Sequence, residues 1–300
     1  MAALEQKSPS YARPILLGLL GDERVFNSPS PAMHEAALEH IKQRGWYIPL
    51  HADSKDLGEI LESLHKLGFR GLNVTAPLKE EVITHLAHLT DEAKKIGAVN
   101  TLTRISVGFS GSNTDVPGFQ KAYLENLGPG RALVLGAGGA ARAVIVALKY
   151  RKLTTVISAR DPKKAEKLAL EFSLQTVPWQ EISQPFEVII NTTSASSLES
   201  LDPPPTDLIL RAPKGHRARV IDINYGRPHN YFKQLAKDYD AHFFNGLPML
   251  AQQAHESFAQ WLGRFDIPLD PFILNVKKLP STRPFKDAFS PLRPQEDKDA

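Results

Sequence analysis

A glycine turn in the middle of this 300-residue sequence has the spacing of a phosphate-binding loop. It lies between the apolar run 132–135 and the apolar helical segment 143–148. A G-x-G-x-x-A pattern in that position lets the chain turn tightly, lets the backbone approach a pyrophosphate and points a helix N-terminus at the anion. The pattern predicts a dinucleotide site, although such turns also join strands to helices with nothing bound. The turn consists of Gly136, Ala137, Gly138, Gly139, Ala140 and Ala141.

The residues after the next predicted strand decide which nicotinamide cofactor fits. That strand ends at Arg160, and Asp161, Lys163 and Lys164 follow. A cation there suits the 2′-phosphate of NADP, whereas an acidic residue normally binds the free 2′-hydroxyl of NAD. Asp161 either points towards the ribose or caps the following helix. The sequence favours NADP and leaves NAD possible.

Polar residues of the first half of the chain stand where predicted strands end and helices begin. They supply hydroxyls and amides together with one lysine and one aspartate, a set that suits a small polyhydroxylated molecule. Each also has an ordinary alternative, since Ser28, Ser30 and Asp115 could cap helices and Lys79 could be a surface lysine. The set comprises Ser28, Ser30, Asn73, Thr75, Lys79, Asn100, Thr101, Asn113, Thr114 and Asp115.

Alternating strands and helices would position these residues. Such a βα order indicates parallel sheets with right-handed crossovers, and the Gly-Pro-Gly at 128–130 marks a domain junction. The sequence thus predicts an α/β fold. The predicted strands are 14–21, 47–53, 71–77, 98–105, 107–113, 132–135, 154–160, 187–193 and 219–225. The predicted helices are 31–44, 57–67, 79–88, 116–127, 143–148, 163–171 and 248–263.

Composition narrows the function classes. The chain has 36 Lys and Arg against 33 Asp and Glu, a net charge of +3 that is spread along the sequence and does not favour nucleic-acid binding. It has no cysteine, which excludes disulfides and thiolate chemistry. We find no signal-like segment or membrane-length apolar run, so we expect a soluble cytoplasmic protein with no membrane partner.

Two groups of histidines carry no functional prediction. Glu81, His85 and His88 would share one helix face at ligand-like spacing, but no further ligand is apparent, so no metal site is expected. His34 is interpreted as a packing residue rather than a general base. The tail after about residue 278 is rich in proline and charge, and we expect it to be disordered.

Taken together, the motifs resemble those of shikimate dehydrogenases in order and spacing. The resemblance covers roughly residues 14 to 265, and its specific parts are the lysine motif and the Asn-Thr-Asp motif. The matching segments are SPSPAMH (28–34), GLNVTAPLK (71–79), GAVNTL (97–102), NTD (113–115), GAGGAA (136–141), NTTS (191–194), DINY (222–225) and NGLPMLAQQA (245–254).

This resemblance implies two α/β domains with the active site in the cleft between them. Residues 1–127, with 248–278 returning, would form the substrate-binding domain, and 128–247 a Rossmann-type NADP-binding domain. The implied reaction is the reversible NADPH-dependent reduction of 3-dehydroshikimate to shikimate, by a monomer or homodimer. No arginine clamp is evident, so carboxylate recognition would depend on hydroxyl donors.

The resemblance also assigns roles to individual residues. Lys79 and Asp115 would be the catalytic pair, with Asp115 orienting the lysine. Ser28 and Ser30, helped by Tyr225, would bind the substrate carboxylate. Three residues would hold ring hydroxyls, namely Thr75, Asn100 and Gln253. The cofactor would contact Gly136, Ala137, Gly138, Gly139, Ala140, Arg160, Thr193 and Gly246.

Several segments depart from the family pattern. The segment GDERVFNS (21–28) lacks the family's proline and histidine, and only Arg160 remains of its Asn-Arg-Thr. Ser196 replaces a glycine, and Pro248 stands where glycine is common. The alternatives are therefore a quinate/shikimate dehydrogenase that also uses NAD, and a non-catalytic paralogue that binds nucleotide or metabolites.

Overall fold

The computed structural model describes residues 13–125, 127–195, 208–211, 216–226 and 229–274. The expected disordered tail and Ser196 lie outside these ranges. Within them, no helix combines the length and the apolar character needed to cross a membrane.

The first sheet has six strands in the spatial order β2-β1-β3-β5-β6-β4. The first three strands are parallel, as predicted, whereas β5 runs antiparallel to both β3 and β6. The antiparallel pair turns at Gly108, whose φ of +133° suits glycine. The strands are β1 (Ile15–Gly21), β2 (Gly45–His51), β3 (Gly71–Val74), β4 (His88–Leu89), β5 (Thr101–Ile105) and β6 (Gly108–Ser112).

Four α-helices come from the same part of the chain as this sheet. The predicted helix 57–67 is confirmed with the same bounds. The predicted helix 79–88 is wrong, because only Glu81–His85 forms a 3₁₀ turn. The chain must then extend, since the N–H groups of Ala87 and Thr90 bond to β6 carbonyls. The helices are α1 (Ser30–His40), α2 (Leu57–Leu67), α3 (Asp91–Ile96) and α4 (Asp115–Phe119), with a π turn at Gln120–Leu124.

The second sheet has six parallel strands in the order β14-β13-β11-β7-β8-β9. In chain order this is the 3-2-1-4-5-6 arrangement of dinucleotide-binding folds, whose ligands lie beyond the carboxyl ends of the central strands. The strands are β7 (Arg131–Leu135), β8 (Thr154–Ser158), β9 (Gln175–Thr176), β11 (Val188–Asn191), β13 (Arg219–Asp222) and β14 (His242–Asn245); β10 (Pro185–Phe186) pairs separately with β12 (Ile209–Leu210).

The remaining helices are α5 (Gly139–Tyr150), α6 (Pro162–Phe172), α7 (Tyr231–Asp238), α8 (Leu247–Leu262) and α9 (Asp270–Leu274). Helix α8 follows the second sheet in the chain but packs on the first, where Phe258 and Trp261 are buried with Leu17 and Met33. A further apolar cluster joins the two halves, because Ile96 and residues of α4 pack against α5.

Candidate active site

A cleft of about 640 Å³ is lined by residues that follow β3 in the first sheet and β11 and β13 in the second. The start of α5 and the first turns of α8 complete its walls. The cleft therefore lies at the carboxyl ends of parallel strands, where the polar side chains leave the sheets.

Lys79 and Asp115 form an ion pair in this cleft, with 2.6 Å between Nζ and Oδ2. Their side chains are 15% and 6% exposed, so Lys79 is not a surface lysine. Asp115 opens α4, but its carboxylate binds side chains rather than capping the helix. Removing both charges from water is costly unless each group is paired and hydrogen-bonded.

Asn100 holds the second carboxylate oxygen of Asp115. Its Nδ2 donates to Asp115 Oδ1 at 2.9 Å, to Thr114 Oγ1 at 3.0 Å and to Gln253 Oε1 at 3.2 Å. Its Oδ1 accepts the Thr114 N–H at 2.7 Å. Both carboxylate oxygens therefore have a donor, which fixes the side chain that in turn holds Lys79.

Behind Asn100 lies a buried polar network that ties α8 to the first sheet. The Ser257 hydroxyl lies 2.9 Å from Thr101 Oγ1 and 3.0 Å from Thr114 Oγ1, and it accepts the Asn73 amide at 2.9 Å. Gln253 lies one turn earlier in α8 and lines the cleft. The network thus places α8 against the Lys79–Asp115 pair.

Ser28, Ser30 and Tyr225 meet on another wall of the cleft. Ser28 Oγ donates to Ser30 Oγ at 3.0 Å and accepts the Ser30 N–H at 3.2 Å. Burial raises the pKa of Tyr225 and a hydrogen bond with Ser28 opposes that shift. Thr75 also lines the cleft, so all the expected substrate-side residues are brought together.

Arg24 lines the same cleft, although sequence reasoning assigned it no role and saw no arginine clamp. Its guanidinium binds Asp22 through contacts of 2.6 to 3.0 Å, and Nη2 lies 3.4 Å from the Ala76 carbonyl. The charged run Asp22-Glu23-Arg24 looks like ordinary solvated surface in sequence. The only feature of the sequence that could have drawn attention to Arg24 is that segment 21–28 departs from the family pattern.

The glycine turn has the open space that a phosphate would need. A Cβ on Gly138 would meet nothing within 4 Å, whereas one on Gly139 would lie 3.1 Å from Lys79 Cβ. Gly136 has a φ of +115°, which favours glycine. Because the first N–H groups of a helix have no partner inside it, the start of α5 fits a pyrophosphate.

The expected cofactor residues are divided between the cleft and its surroundings. Gly139, Ala140, Thr193 and Gly246 line the cleft, whereas Gly136, Ala137, Gly138 and Arg160 are not part of its lining. Gly246 has a separate packing reason to be glycine, since a Cβ there would lie 1.8 Å from the Ile223 carbonyl oxygen.

Arg160 is exposed and follows the last residue of β8 by two positions. Asp161 caps α6 and accepts the N–H groups of Lys163 at 3.1 Å and Lys164 at 3.4 Å. Of the two interpretations of Asp161, the structure supports the helix cap, because its carboxylate accepts hydrogen bonds from the first turn of α6.

A buried pair that sequence reasoning missed supports this side of the cleft. Asn191 Nδ2 donates to Asp222 Oδ1 at 2.9 Å, and Asn230 Nδ2 donates to Asp222 Oδ2 at 2.6 Å. Asn191 also accepts the Thr193 hydroxyl at 2.7 Å. The pair joins the carboxyl ends of β11 and β13 and fixes the loop that carries Thr193.

The histidines lie away from this chemistry. His88 bonds Ser110 at 2.9 Å, and His85 packs against Gly58, so the expected shared helix face is wrong. No cluster of three or more potential metal ligands occurs in the described part of the chain. His34 is fully buried and stacks on Tyr47 with ring centroids 4.2 Å apart, which is a packing role.

Comparison with known proteins agrees with this geometry. Residues 20–102 match the family model for the shikimate dehydrogenase substrate binding domain, and residues 119–243 match the model for shikimate / quinate 5-dehydrogenase. The chain is 37% identical over 246 residues to a shikimate dehydrogenase (NADP(+)) of Thermus thermophilus, covering 80% of this chain and 89% of the relative.

Solved structures show the same arrangement. A shikimate 5-dehydrogenase of Thermus thermophilus, in complex with NADP(H) and shikimate, superimposes with a TM-score of 0.77 at 34% identity, over 88% of this chain and 99% of that one. A ligand-free 5-ketofructose reductase of Gluconobacter also matches, with a TM-score of 0.72 at 27% identity, over 89% and 99% of the two chains.

Proposed function

Because the chain belongs to the shikimate dehydrogenase family, we propose that it catalyses the reversible NADPH-dependent reduction of 3-dehydroshikimate to shikimate. The protein is then an oxidoreductase acting on a CH–OH group. The observation that carries the proposal is the Lys79–Asp115 pair, buried in a cleft beside the glycine turn.

The reduction needs a hydride at the carbonyl carbon and a proton at the carbonyl oxygen. Bound NADPH supplies the hydride. The Lys79 ammonium stabilises the negative charge that develops on the oxygen and donates the proton to it. In the oxidation direction the same amine accepts the hydroxyl proton. Asp115 orients Lys79, and Asn100 keeps Asp115 in place from the other carboxylate oxygen.

Substrate recognition divides between two walls of the cleft. Ser28 and Ser30, together with Tyr225, bind the carboxylate, while Thr75, Asn100 and Gln253 bind ring hydroxyls. Arg24 extends the donor set at the rim. Since Asp22 already pairs with its guanidinium, the hydroxyls carry most of the recognition.

On the cofactor side, the turn from Gly136 to Ala140 would hold the pyrophosphate, and Thr193 and Gly246, which line the cleft, would contact the cofactor as well. Arg160 binds the 2′-phosphate, and Asp161 does not take the ribose-binding role of an NAD site, because its Oδ1 is engaged as the cap of α6. This geometry supports NADP over NAD.

We also propose the domain division expected from the sequence. Residues 1–127 and 248–278 form the substrate-binding domain, and 128–247 form the nucleotide-binding domain. The packing of α8 on the first sheet supports this division. The ligands are small molecules, and the cytoplasm is the proposed location. Light scattering would distinguish a monomer from a homodimer.

An assay that follows the absorbance of reduced nicotinamide tests the function. Purified protein is offered shikimate and quinate, each with NADP and with NAD. Rapid turnover with shikimate and NADP is the expected result. Turnover with quinate or NAD indicates the broader dehydrogenase instead. Binding without turnover in all four mixtures overturns the proposal and indicates the non-catalytic paralogue.

A further inference from the structure

Arg142 in α5 lies between the two sheets, and its guanidinium contacts both halves of the molecule. Nη1 donates to the Ile96 carbonyl at 3.1 Å, and Nη1 and Nη2 donate to the two Glu171 carboxylate oxygens at 2.7 and 2.8 Å. Nε lies 3.4 Å from Glu80 Oε2. The Arg142 side chain is 10% exposed, and its Nε is buried without a hydrogen bond, so the contact with Glu80 is an ion pair only.

The two contacts with the first half fall on the segments that carry the catalytic pair. Glu80 follows Lys79 directly, and Ile96 lies four residues before Asn100, which holds Asp115. The two segments are joined by a backbone hydrogen bond of 2.8 Å from the Val99 N–H to the Lys79 carbonyl. Arg142 therefore contacts both the segment that carries Lys79 and the segment that leads to Asn100.

The glycine at position 97 leaves space for the Arg142 guanidinium to reach the Ile96 carbonyl. Its φ is +69°, and a Cβ there would lie only 2.7 Å from Arg142 Nη1. Any side chain at that position would displace the guanidinium from the Ile96 carbonyl. The left-handed glycine that ends α3 thus leaves room for an arginine from the other half of the molecule.

Arg142 is also connected to the glycine turn. Its N–H donates to the Gly138 carbonyl at 3.2 Å, in the first turn of α5. Gly139, next to Gly138, packs closely against the Lys79 side chain, where a Cβ would come within 3.1 Å of Lys79 Cβ. One residue thus contacts the dinucleotide turn through its backbone and the catalytic segments through its side chain.

An ion pair between Arg142 and Glu171 would not by itself need the contacts with Ile96 and Glu80. Glu171 lies in α6 and neutralises the guanidinium from within the nucleotide-binding half, with two parallel hydrogen bonds. The contacts with Ile96 and Glu80 are additional and reach across to the other half. They bring a buried guanidinium to the segment that carries the catalytic lysine, although Arg142 itself does not line the cleft.

We propose that Arg142 is a positioning residue that couples dinucleotide binding at the glycine turn to the placement of the Lys79–Asp115 pair. The inference rests on the proposed function. A dinucleotide bound at the start of α5 restricts the position of that helix. Through its contacts with Ile96 and Glu80, Arg142 then restricts the positions of the Lys79 and Asn100 segments.

Arg142→Gln, Glu171→Gln and Arg151→Gln test the proposal against wild type. Arg151 is exposed at the end of the same helix and serves as the matched control. We expect Arg142→Gln to lower kcat for shikimate oxidation about 10-fold, since small misplacements of catalytic groups are costly, with the KM for shikimate nearly unchanged. Glu171→Gln keeps the contacts with Ile96 and Glu80, so its kcat stays close to wild type.

A second readout does not depend on turnover. Acetic anhydride labelling of Lys79, located by mass spectrometry, is measured with and without NADP. In wild type we expect NADP to slow labelling of Lys79 relative to the exposed Lys66. In Arg142→Gln that NADP effect shrinks, whereas it persists in Arg151→Gln.

The outcomes separate this inference from the proposed function. If wild type does not oxidise shikimate but NADP still alters Lys79 labelling through Arg142, the proposed reaction fails and the coupling stands. An equal loss of kcat in Glu171→Gln and Arg142→Gln overturns the inference in favour of a structural ion pair. Unchanged kcat and labelling in Arg142→Gln overturn it outright.

Discussion

Lys79 has an ion-pair partner, a largely buried side chain and an adjacent glycine turn, and each affects how its ammonium can act. The partner holds the ammonium in one place, and the close approach of Gly139 fixes the stem of the side chain. General acid–base catalysis by a positioned side chain is worth about 100- to 10,000-fold in rate. A lysine fixed in this way is suited to that role.

Lys79→Ala should therefore lower kcat for shikimate oxidation about 100- to 10,000-fold while leaving substrate binding measurable. Steady-state kinetics and calorimetric titration with shikimate check the two halves of this statement. Lys66→Ala, at an exposed position, is the matched control. Retained turnover in Lys79→Ala would exclude this lysine as the proton donor.

At the ribose end, Arg160→Ala should raise the KM for NADP much more than the KM for NAD. The physical reason is that only NADP carries the phosphate with which the guanidinium pairs. Kinetics with each cofactor at saturating shikimate provide the measurement. Equal effects on both cofactors would show that Arg160 does not bind the 2′-phosphate.

At the scale of elements, Asp161 is the N-cap of helix α6. Asp161→Ala should lower the free energy of unfolding by about 1 kcal/mol, because the helix loses the acceptor for two N–H groups. The ratio of the KM values for NADP and NAD should stay unchanged. Urea denaturation and kinetics test the two statements, and a strong shift towards NADP would show that Asp161 faces the ribose.

At Gly246 a second experiment distinguishes a packing requirement for glycine from a cofactor-binding requirement. An added Cβ would lie 1.8 Å from the Ile223 carbonyl oxygen, so Gly246→Ala should shift the backbone between β13 and α8 and lower the melting temperature. Differential scanning calorimetry checks the shift. If stability is unchanged and only the KM for NADP rises, glycine is present for the cofactor.

Four predicted strands end too late, and three of them lead into the cleft. The strands expected to reach Pro77, Arg160, Thr193 and Tyr225 end instead at Val74, Ser158, Asn191 and Asp222. Periodicity predicts where apolar residues pack, and it identified the bounds of β1 and α2 well. It cannot predict where the chain leaves the sheet, because polar residues beyond that point bind partners distant in sequence.

Some residues of the site could be predicted from the sequence and others could not. Lys79, Asp115 and the glycine turn could be found because each belongs to a short local motif. The Asn191–Asp222 pair and the Arg142 contacts join residues 29 to 62 positions apart, so no local pattern reveals them. Arg24 was missed because its charge is surrounded by acidic neighbours in the sequence.

Across the whole molecule, stability should depend on pH through His34. Burial lowers the pKa of His34 to about 3, with the neighbouring Asn73 opposing part of the shift, while an unfolded histidine titrates near 6.5. The unfolded chain therefore binds the extra proton between these values, and stability falls as the pH falls. At pH 5.5 the loss relative to pH 7.5 should be about 1.4 kcal/mol.

Urea denaturation at the two pH values measures this loss. His34→Phe keeps an aromatic ring beside Tyr47 and should remove most of the dependence, while an exposed-site control, His40→Ala, should retain it. The same slope in all three proteins would assign the pH dependence to other groups.

The return of α8 to the first sheet also has a consequence for how the chain matures during synthesis. The second sheet is built from one continuous stretch, so it can assemble as soon as that stretch leaves the ribosome. The core under the first sheet cannot be completed then, because Leu17 and Met33 pack against Phe258 and Trp261, which are translated after the second sheet. The half of the molecule that is made first is thus completed last, and a chain that stalls before α8 would expose apolar surface that chaperones bind.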